Sequence, residues 1–321
     1  MRDMTKKDLL SLGACLALYA VVQTLIKTDI IGPYWELNLV LIGINIIMAV
    51  SLNLINGFTG QFSIGHAGFM AVGAYFGAVL TVKMQLPFIA ALIGGGIASG
   101  FLGFVIGLPT LRLSGDYLAI ATLGLGEIIR ITILNIPYVG GASGFMGIPR
   151  YTTFTWVFWV AVFTVFFIKN FVNSSHGRAC ISVRENEIAA EAMGVDTTKY
   201  KVLAFTIGAA FAGVGGALFS HYFYIAHPAS FTFMKSFDLL TMVVLGGLGS
   251  ISGSITAAVL LTFISAALAS YPEWRMIIYS LTLIILMIYR PQGLFGNKEL
   301  SLKMFSGLMG GGKRGGTVKG E

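Results

Sequence analysis

Long apolar runs separated by short polar turns make up most of this chain. They fall at roughly 9–26, 37–55, 66–82, 88–108, 116–136, 153–172, 202–222, 237–248, 253–270 and 274–289. A bilayer core about 30 Å thick takes about 20 apolar residues in a helix. The pattern therefore predicts an all-α polytopic membrane protein with about ten transmembrane helices. The eighth run is short for a full crossing and reads as tilted or broken. A membrane β-barrel would instead alternate apolar and polar positions over segments of about ten residues, and no such pattern is present.

One stretch breaks the pattern. His176 to Lys201, HGRACISVRENEIAAEAMGVDTTKYK, packs Arg178, Arg184, Glu185, Glu187, Glu191, Asp196, Lys199 and Lys201 between two apolar runs. A segment this charged stays in water at one face of the membrane. Its pattern predicts a short helix from Glu185 to Met193, stopped by Gly194 in the left-handed conformation that ends helices. Asp196 then reads as the N-cap of the next helix. A short helix across the mouth of a membrane bundle is a docking surface for another protein.

Composition agrees with the class. Of 321 residues, 56% are hydrophobic and 11% charged, against about 25% charged in soluble domains. Lys and Arg favour the cytoplasmic loops of membrane proteins. With ten spans, only Lys27, Lys83, Arg150, Lys235 and Arg275 fall on the side opposite the polar stretch, and Arg130 lies within a span; the other fifteen of the 21 share its side. The polar stretch and both termini are thus expected in the cytoplasm. The net charge of +7 reflects topology and implies no nucleic-acid partner. The first apolar run exceeds the 7–15 residues of a signal-peptide core, so it reads as an uncleaved helix. Leu12-Gly13-Ala14-Cys15 has the form of a lipoprotein cleavage box, but the apolar stretch before it is too short. Cys15 and Cys180 suggest neither a disulfide nor a metal site.

Glycine pairs at Gly73/Gly77, Gly96/Gly100 and Gly103/Gly107, with Ala212/Gly216, predict close helix packing, because small residues let backbones touch in lipid. Two further glycine-rich stretches depart from plain helix: Asn56 to His66, NGFTGQFSIGH, and Leu245 to Ser254, LGGLGSISGS. Both join an inward-running span to an outward-running one and carry no charge. Non-helical backbone at membrane depth needs burial in protein or a cavity to line, and Gly-interrupted segments in corresponding places point to a transport path. A pair of tight turns is the plainer reading, and both stay open. Candidate path residues from these stretches are Asn56, Gly57, Gly60, Gln61, Ser63, His66, Gly246 and Gly249.

Glu127 and Arg130 lie three apart inside the fifth run, so they share a helix face and can pair. Charges at that depth face the interior; the pair either lines and gates a path or fixes helix packing. A proton relay would need further acids within the spans, and only Asp238 comes near. Asn38, Asn45, Asn53 and Asn56 are placed for hydrogen bonds between helices. The four histidines lack metal-ligand spacing. No nucleophile–base pair or HExxH motif marks an enzyme. Gly307 to Lys313 has the opening of a phosphate loop, but Arg314 follows where Ser or Thr is required, and no strand precedes it. It belongs to a Gly/Lys-rich tail, 298–321, that reads as disordered and cytoplasmic, beyond a transmembrane domain over 1–297. The chain is expected to bind no cofactor.

Three blocks are similar to a known family. They are Leu54 to Phe69, LINGFTGQFSIGHAGF; Gly115 to Leu123, GDYLAIATL, running on to Glu127 and Arg130 and then to Gly140-Gly141-Ala142-Ser143-Gly144; and Arg184 to Gly194, RENEIAAEAMG. With these the chain resembles the bacterial branched-chain amino acid permeases of ABC importers, M-subunit type. The third block is similar to the EAA loop through which such permeases dock on their ATPases. It matches at Glu187, Ala189, Ala190 and Gly194, with Ile188 inserted and Arg184, Glu185 and Glu191 flanking; the docking loop spans 173–201. The resemblance adds Tyr117 and Thr122 to the candidate path. It implies an importer bundle with a cytoplasmic coupling helix, in the bacterial inner membrane. Its implied partners are a homologous permease subunit, two cytoplasmic ATPase subunits that hydrolyse the ATP, and an extracytoplasmic binding protein. It further implies alternating access with leucine, isoleucine or valine as cargo. An importer of urea or short-chain amides from the same family, and an ion-driven secondary transporter, are the rival readings.

Overall fold

The computed structural model describes residues 6–269 and a few isolated positions beyond. Most of the tenth apolar run and the whole 298–321 tail, with its phosphate-loop look-alike, lie outside the described residues. Eleven α-helices occur among the described residues: α1 (Lys6–Lys27), α2 (Pro33–Asn53), α3 (His66–Val82), α4 (Phe88–Thr110), α5 (Asp116–Leu134), α6 (Phe154–Asn173), α7 (Ser175–Glu185), α8 (Glu187–Ala192), α9 (Thr197–Phe223), α10 (Phe233–Gly246) and α11 (Ile251–Ala267). Six segments among the described residues are long and apolar enough to cross a membrane: 33–58, 88–110, 116–134, 154–173, 197–223 and 228–246. Shorter apolar helices cover 15–27, 66–82 and 251–267. The first nine predicted runs coincide closely with helices among the described residues. The short eighth run is a 14-residue helix preceded by a 3₁₀ turn, Pro228–Phe231.

The bundle is organised on α9, whose 27 residues extend about 40 Å at 1.5 Å per residue. Helices α3 and α4 lie against it through the small residues. A Cβ on Gly73 would stand 2.0 Å from the Gly213 carbonyl oxygen, and one on Gly216 would stand 1.9 Å from that of Met70. Nothing larger than glycine lets these backbones meet, so the close packing predicted from the glycine pairs is what forms. Helix α2 runs through the interior with twelve buried residues, from Asn38 to Asn53. Its amides serve packing: Asn45 donates to Thr262 Oγ1 of α11 at 2.9 Å. At one end of α9, strands β1 (Phe145–Met146) and β2 (Ile225–Ala226) pair antiparallel, Phe145 opposite Ala226. At the other end stands the polar stretch.

That stretch differs from its prediction. It is two helices, α7 and α8, meeting at an elbow at Asn186. Ser174 caps α7, accepting from Gly177 N at 3.3 Å. Asn186 caps α8, accepting from Ala189 N at 3.0 Å. The break falls there because Asn186 is extended (φ −160°), so the single helix expected over Glu185–Met193 is shortened to Glu187–Ala192. Its end is as expected: Gly194 has φ +84°, and Asp196 caps α9, accepting from Lys199 N at 3.0 Å. Lys235, counted from sequence with the loops, belongs to α10, where its Nζ donates to Asn45 Oδ1 at 3.2 Å.

Candidate functional site

Helix α2 does not end cleanly. Residues Leu54–Phe58 form one turn of π-helix, and 59–65 then run without regular structure before α3 starts at His66. Asn56 closes this detour by bonding it to itself: its Oδ1 accepts from Ser63 N at 3.3 Å and its Nδ2 donates to the Ser63 carbonyl at 3.2 Å. Gly60 turns the chain at φ +72°. The polar side chains of the detour are buried, Thr59, Gln61, Ser63 and His66 being at most 3% exposed, while Gly60 and Phe62 reach the surface. Irregular backbone in a membrane protein is buried in protein or lines a cavity, and this stretch does both: its polar side chains are buried, and Thr59, Gly60 and Gln61 line a cavity.

The second glycine stretch, a turn between α10 and α11, packs directly on the first. Asn53 Oδ1 accepts from Gly249 N at 2.9 Å, and Asn53 Nδ2 donates to the Ser250 carbonyl at 2.9 Å. A Cβ on Gly57 would stand 2.3 Å from Gly249 N, which is backbone on backbone. Gly246 closes the turn against the backbone of Gly253. The two stretches have different local structures and form a single joint.

The elbow reaches into that joint. Arg184 Nη1 donates to the Gly57 carbonyl at 2.9 Å, and Glu185 Oε1 holds the same guanidinium at 2.5 and 3.1 Å. Lys201 pairs with Glu187, and Thr197 donates to Glu191 at 2.7 Å, so α8 is tied to α9. Ala190 is buried, whereas Ile188 and Met193 are 81% and 84% exposed. Two exposed apolar side chains on a helix fixed by its polar ones are what a partner protein can cover. The motif comparison passed over both, treating Ile188 as an insertion. Cys180 is enclosed between α7 and α9, and burial pushes its thiol up to about 11.

The remaining path candidates converge on the starts of α3 and α10. Thr122 Oγ1 accepts from Ile64 N at 3.0 Å. Ser236 Oγ, on α10, accepts from Ala67 N at 3.0 Å. Ser51 Oγ lies 2.9 Å from His66 Nε2. Glu127 pairs with Arg130 at 2.7 Å, and its other oxygen accepts from Phe233 N, in the first turn of α10, at 3.0 Å. An acid there suits the positive end of the helix. Tyr117 stands apart, 74% exposed on α5. Ser51, Lys235 and Ser236 were not singled out from the sequence; a lone serine or lysine in an apolar run carries no spacing signal. Buried atoms without a hydrogen-bond partner within the described residues gather in the detour: both amide atoms of Gln61, Ser63 Oγ and His66 Nδ1. An unpaired buried polar group costs about 1–3 kcal/mol; Thr206 Oγ1, on α9, is a fifth such atom.

A helical bundle with six long apolar segments among the described residues, a broken helix and a polar elbow has the architecture of a polytopic membrane protein. Residues 35–287 match the model for the branched-chain amino acid transport system / permease component family, and the chain belongs to that family. It is 38% identical to the high-affinity branched-chain amino acid transport system permease protein LivM of Salmonella typhimurium, covering 82% of this chain and 70% of that protein. It is 36% identical to LivM of Escherichia coli, covering 84% and 71%. With LivH of Salmonella typhimurium it shares 24%, covering 79% and 92%. No solved structure matches it.

Proposed function

We propose that this chain is the M-type permease subunit of an ATP-driven, binding-protein-dependent importer of branched-chain amino acids. It spans the inner membrane about ten times, with its termini and the elbow in the cytoplasm. A homologous permease subunit completes the translocation unit; the LivH resemblance supports this, since one chain is similar to both permease types. Helix α5 has the least enclosed of the six long spans, and its exposed Tyr117, Ile120, Ile128 and Ile131 form the face offered to that subunit. Two ATPase subunits dock on the elbows through Ile188 and Met193, and an extracytoplasmic binding protein delivers leucine, isoleucine or valine.

The observation that carries this reading is the Arg184–Gly57 contact. Nucleotide-driven closure of the ATPases moves α8; Arg184 transmits the movement to the π-turn and to the α10–α11 turn packed on it. The starts of α3 and α10, held by Thr122, Glu127 and Ser236, then shift and switch the bundle between outward and inward openings. The fuel is consumed by the partners, and this chain supplies no catalytic residue.

The test is uptake of labelled leucine by vesicles carrying this chain with its permease, ATPase and binding-protein partners. Uptake that needs ATP and is lost when this chain is omitted supports the proposal. ATP hydrolysis stimulated by urea- or acetamide-loaded binding protein, with no leucine uptake, would move the cargo to those solutes. Uptake driven by an ion gradient without ATP would sink the importer reading.

A further inference from the structure

A cavity of about 250 Å³ lies between the detour, the α4–α5 turn and the elbow. It is smaller than the roughly 300–1,000 Å³ of drug-sized sites. Its lining is of two kinds. Leu111, Leu118 and Val183 are apolar, and all three are buried. Arg184 with Glu185, and Lys201 with Glu187, bring paired charges of both signs. Gln61 also lines it; it is 3% exposed, and neither its amide oxygen nor its amide nitrogen has a partner within the described residues.

We propose that this cavity is a binding site, on the cytoplasmic side, for a free α-amino acid with an apolar side chain. The groups of the cavity match those of such a ligand. A side-chain amide sets one acceptor and two donors next to each other. An α-amino acid sets an ammonium donor next to a carboxylate acceptor. The Gln61 oxygen accepts from the ammonium and its nitrogen donates to the carboxylate, so one ligand satisfies both unpartnered atoms. Arg184 and Lys201 add cationic donors for the carboxylate, Glu187 an acceptor for the ammonium, and the leucine and valine walls bury an aliphatic side chain. Urea or acetamide would satisfy the amide but leave the apolar wall bare. The site rests on reading the chain as an amino acid permease and goes beyond it: it lies at the elbow, apart from the starts of α3 and α10, and takes the product after release. Occupied, it bridges the detour and the elbow, the two parts that Arg184 joins.

The experiment is equilibrium binding of labelled leucine to the complete permease–ATPase complex in lipid nanodiscs, without binding protein, with acetamide as the control ligand. Two variants are compared with the parent: Leu113→Trp, which fills the cavity from its rim, and Gln61→Leu, which removes the amide at similar volume. Saturable leucine binding that weakens at least tenfold in both, with no competition by acetamide, supports the site. Leucine binding unchanged in Leu113→Trp, no saturable binding, or satisfaction by acetamide alone would overturn it. Binding-protein-dependent leucine uptake is measured on the parent and on Leu113→Trp, where it is expected to persist. Uptake without cavity binding overturns this site and leaves the importer standing; absence of leucine uptake and binding overturns both.

Discussion

Replacing Arg184 by alanine should separate ATP hydrolysis from transport. The side chain makes one bond into the broken helix, Nη1 to the Gly57 carbonyl at 2.9 Å, and is 27% exposed, so solvent screens it little. A hydrogen bond involving a charged group is worth about 1.5–3 kcal/mol, which is roughly tenfold to a hundredfold in the equilibrium it supports. The Glu185 contact is shorter, but that carboxylate is 67% exposed, and exposed pairs contribute about 0–1 kcal/mol. Arg184→Ala should therefore lower leucine uptake by tenfold or more, while Glu185→Ala changes it at most a fewfold. The assay reads uptake and ATP hydrolysis on the same proteoliposomes. If Arg184 couples the elbow to the joint, hydrolysis and ATPase binding persist in Arg184→Ala as uptake falls. Unchanged uptake refutes the coupling argument. Equal loss of ATPase binding and uptake refutes it too, by making Arg184 an ordinary docking residue.

Other changes probe the neighbouring contacts. Gly57→Ala should abolish uptake without preventing membrane insertion, because its Cβ would meet Gly249 N at 2.3 Å and Asn53 Oδ1 at 1.9 Å; normal uptake would mean that the two turns separate freely. Ile188→Asp and Met193→Asp should each weaken ATPase retention in pull-downs roughly tenfold or more, since burying such a side chain is worth about 1.5–3 kcal/mol; unchanged retention would place the docking face elsewhere. Cys180 should react slowly with a maleimide at pH 7, because its thiol is buried and titrates near 11, and the thiolate is the reactive form. Its labelling should rise as pH climbs toward that value, while a cysteine at Ile188 labels rapidly throughout; fast labelling of Cys180 at pH 7 would contradict the α7–α9 packing.

The first nine runs were legible because lipid demands continuous apolar runs, and their observed helix bounds differ from the predicted ones by a few residues. The Glu127–Arg130 pair was legible for a similar reason, since a three-residue spacing on a helix fixes a shared face. The elbow was legible in place but not in shape: charge marks water exposure, whereas a break at Asn186 depends on one side chain capping the following turn. The joint was half legible. Glycine and polar residues marked each stretch, but nothing along the chain says that residues near 57 and 249 meet, because that contact is made by one amide, Asn53, bonding to Gly249 and Ser250, 196 and 197 positions away. Lys235 was misplaced because a charge near a run's end counts as a loop charge unless its partner, here Asn45, is known.

The joint has the properties of a part that moves. A π-turn is a single irregular turn often found at functional sites, and packed interfaces switch between discrete arrangements more readily than they deform. Here the turn is enclosed by glycine contacts that leave no slack, so the backbone near Gly57 cannot drift; it either keeps its contact with Gly249 or gives it up. The unpartnered atoms of Gln61, Ser63 and His66 make the enclosed arrangement less favourable than its packing alone would give. A ligand or a second arrangement that pairs them lies correspondingly closer in energy. A push of a few kcal/mol through Arg184 is of the size needed to move such a balance, so under the proposed function a single hydrogen bond between elbow and broken helix suffices to pass the movement of docked ATPases to the joint.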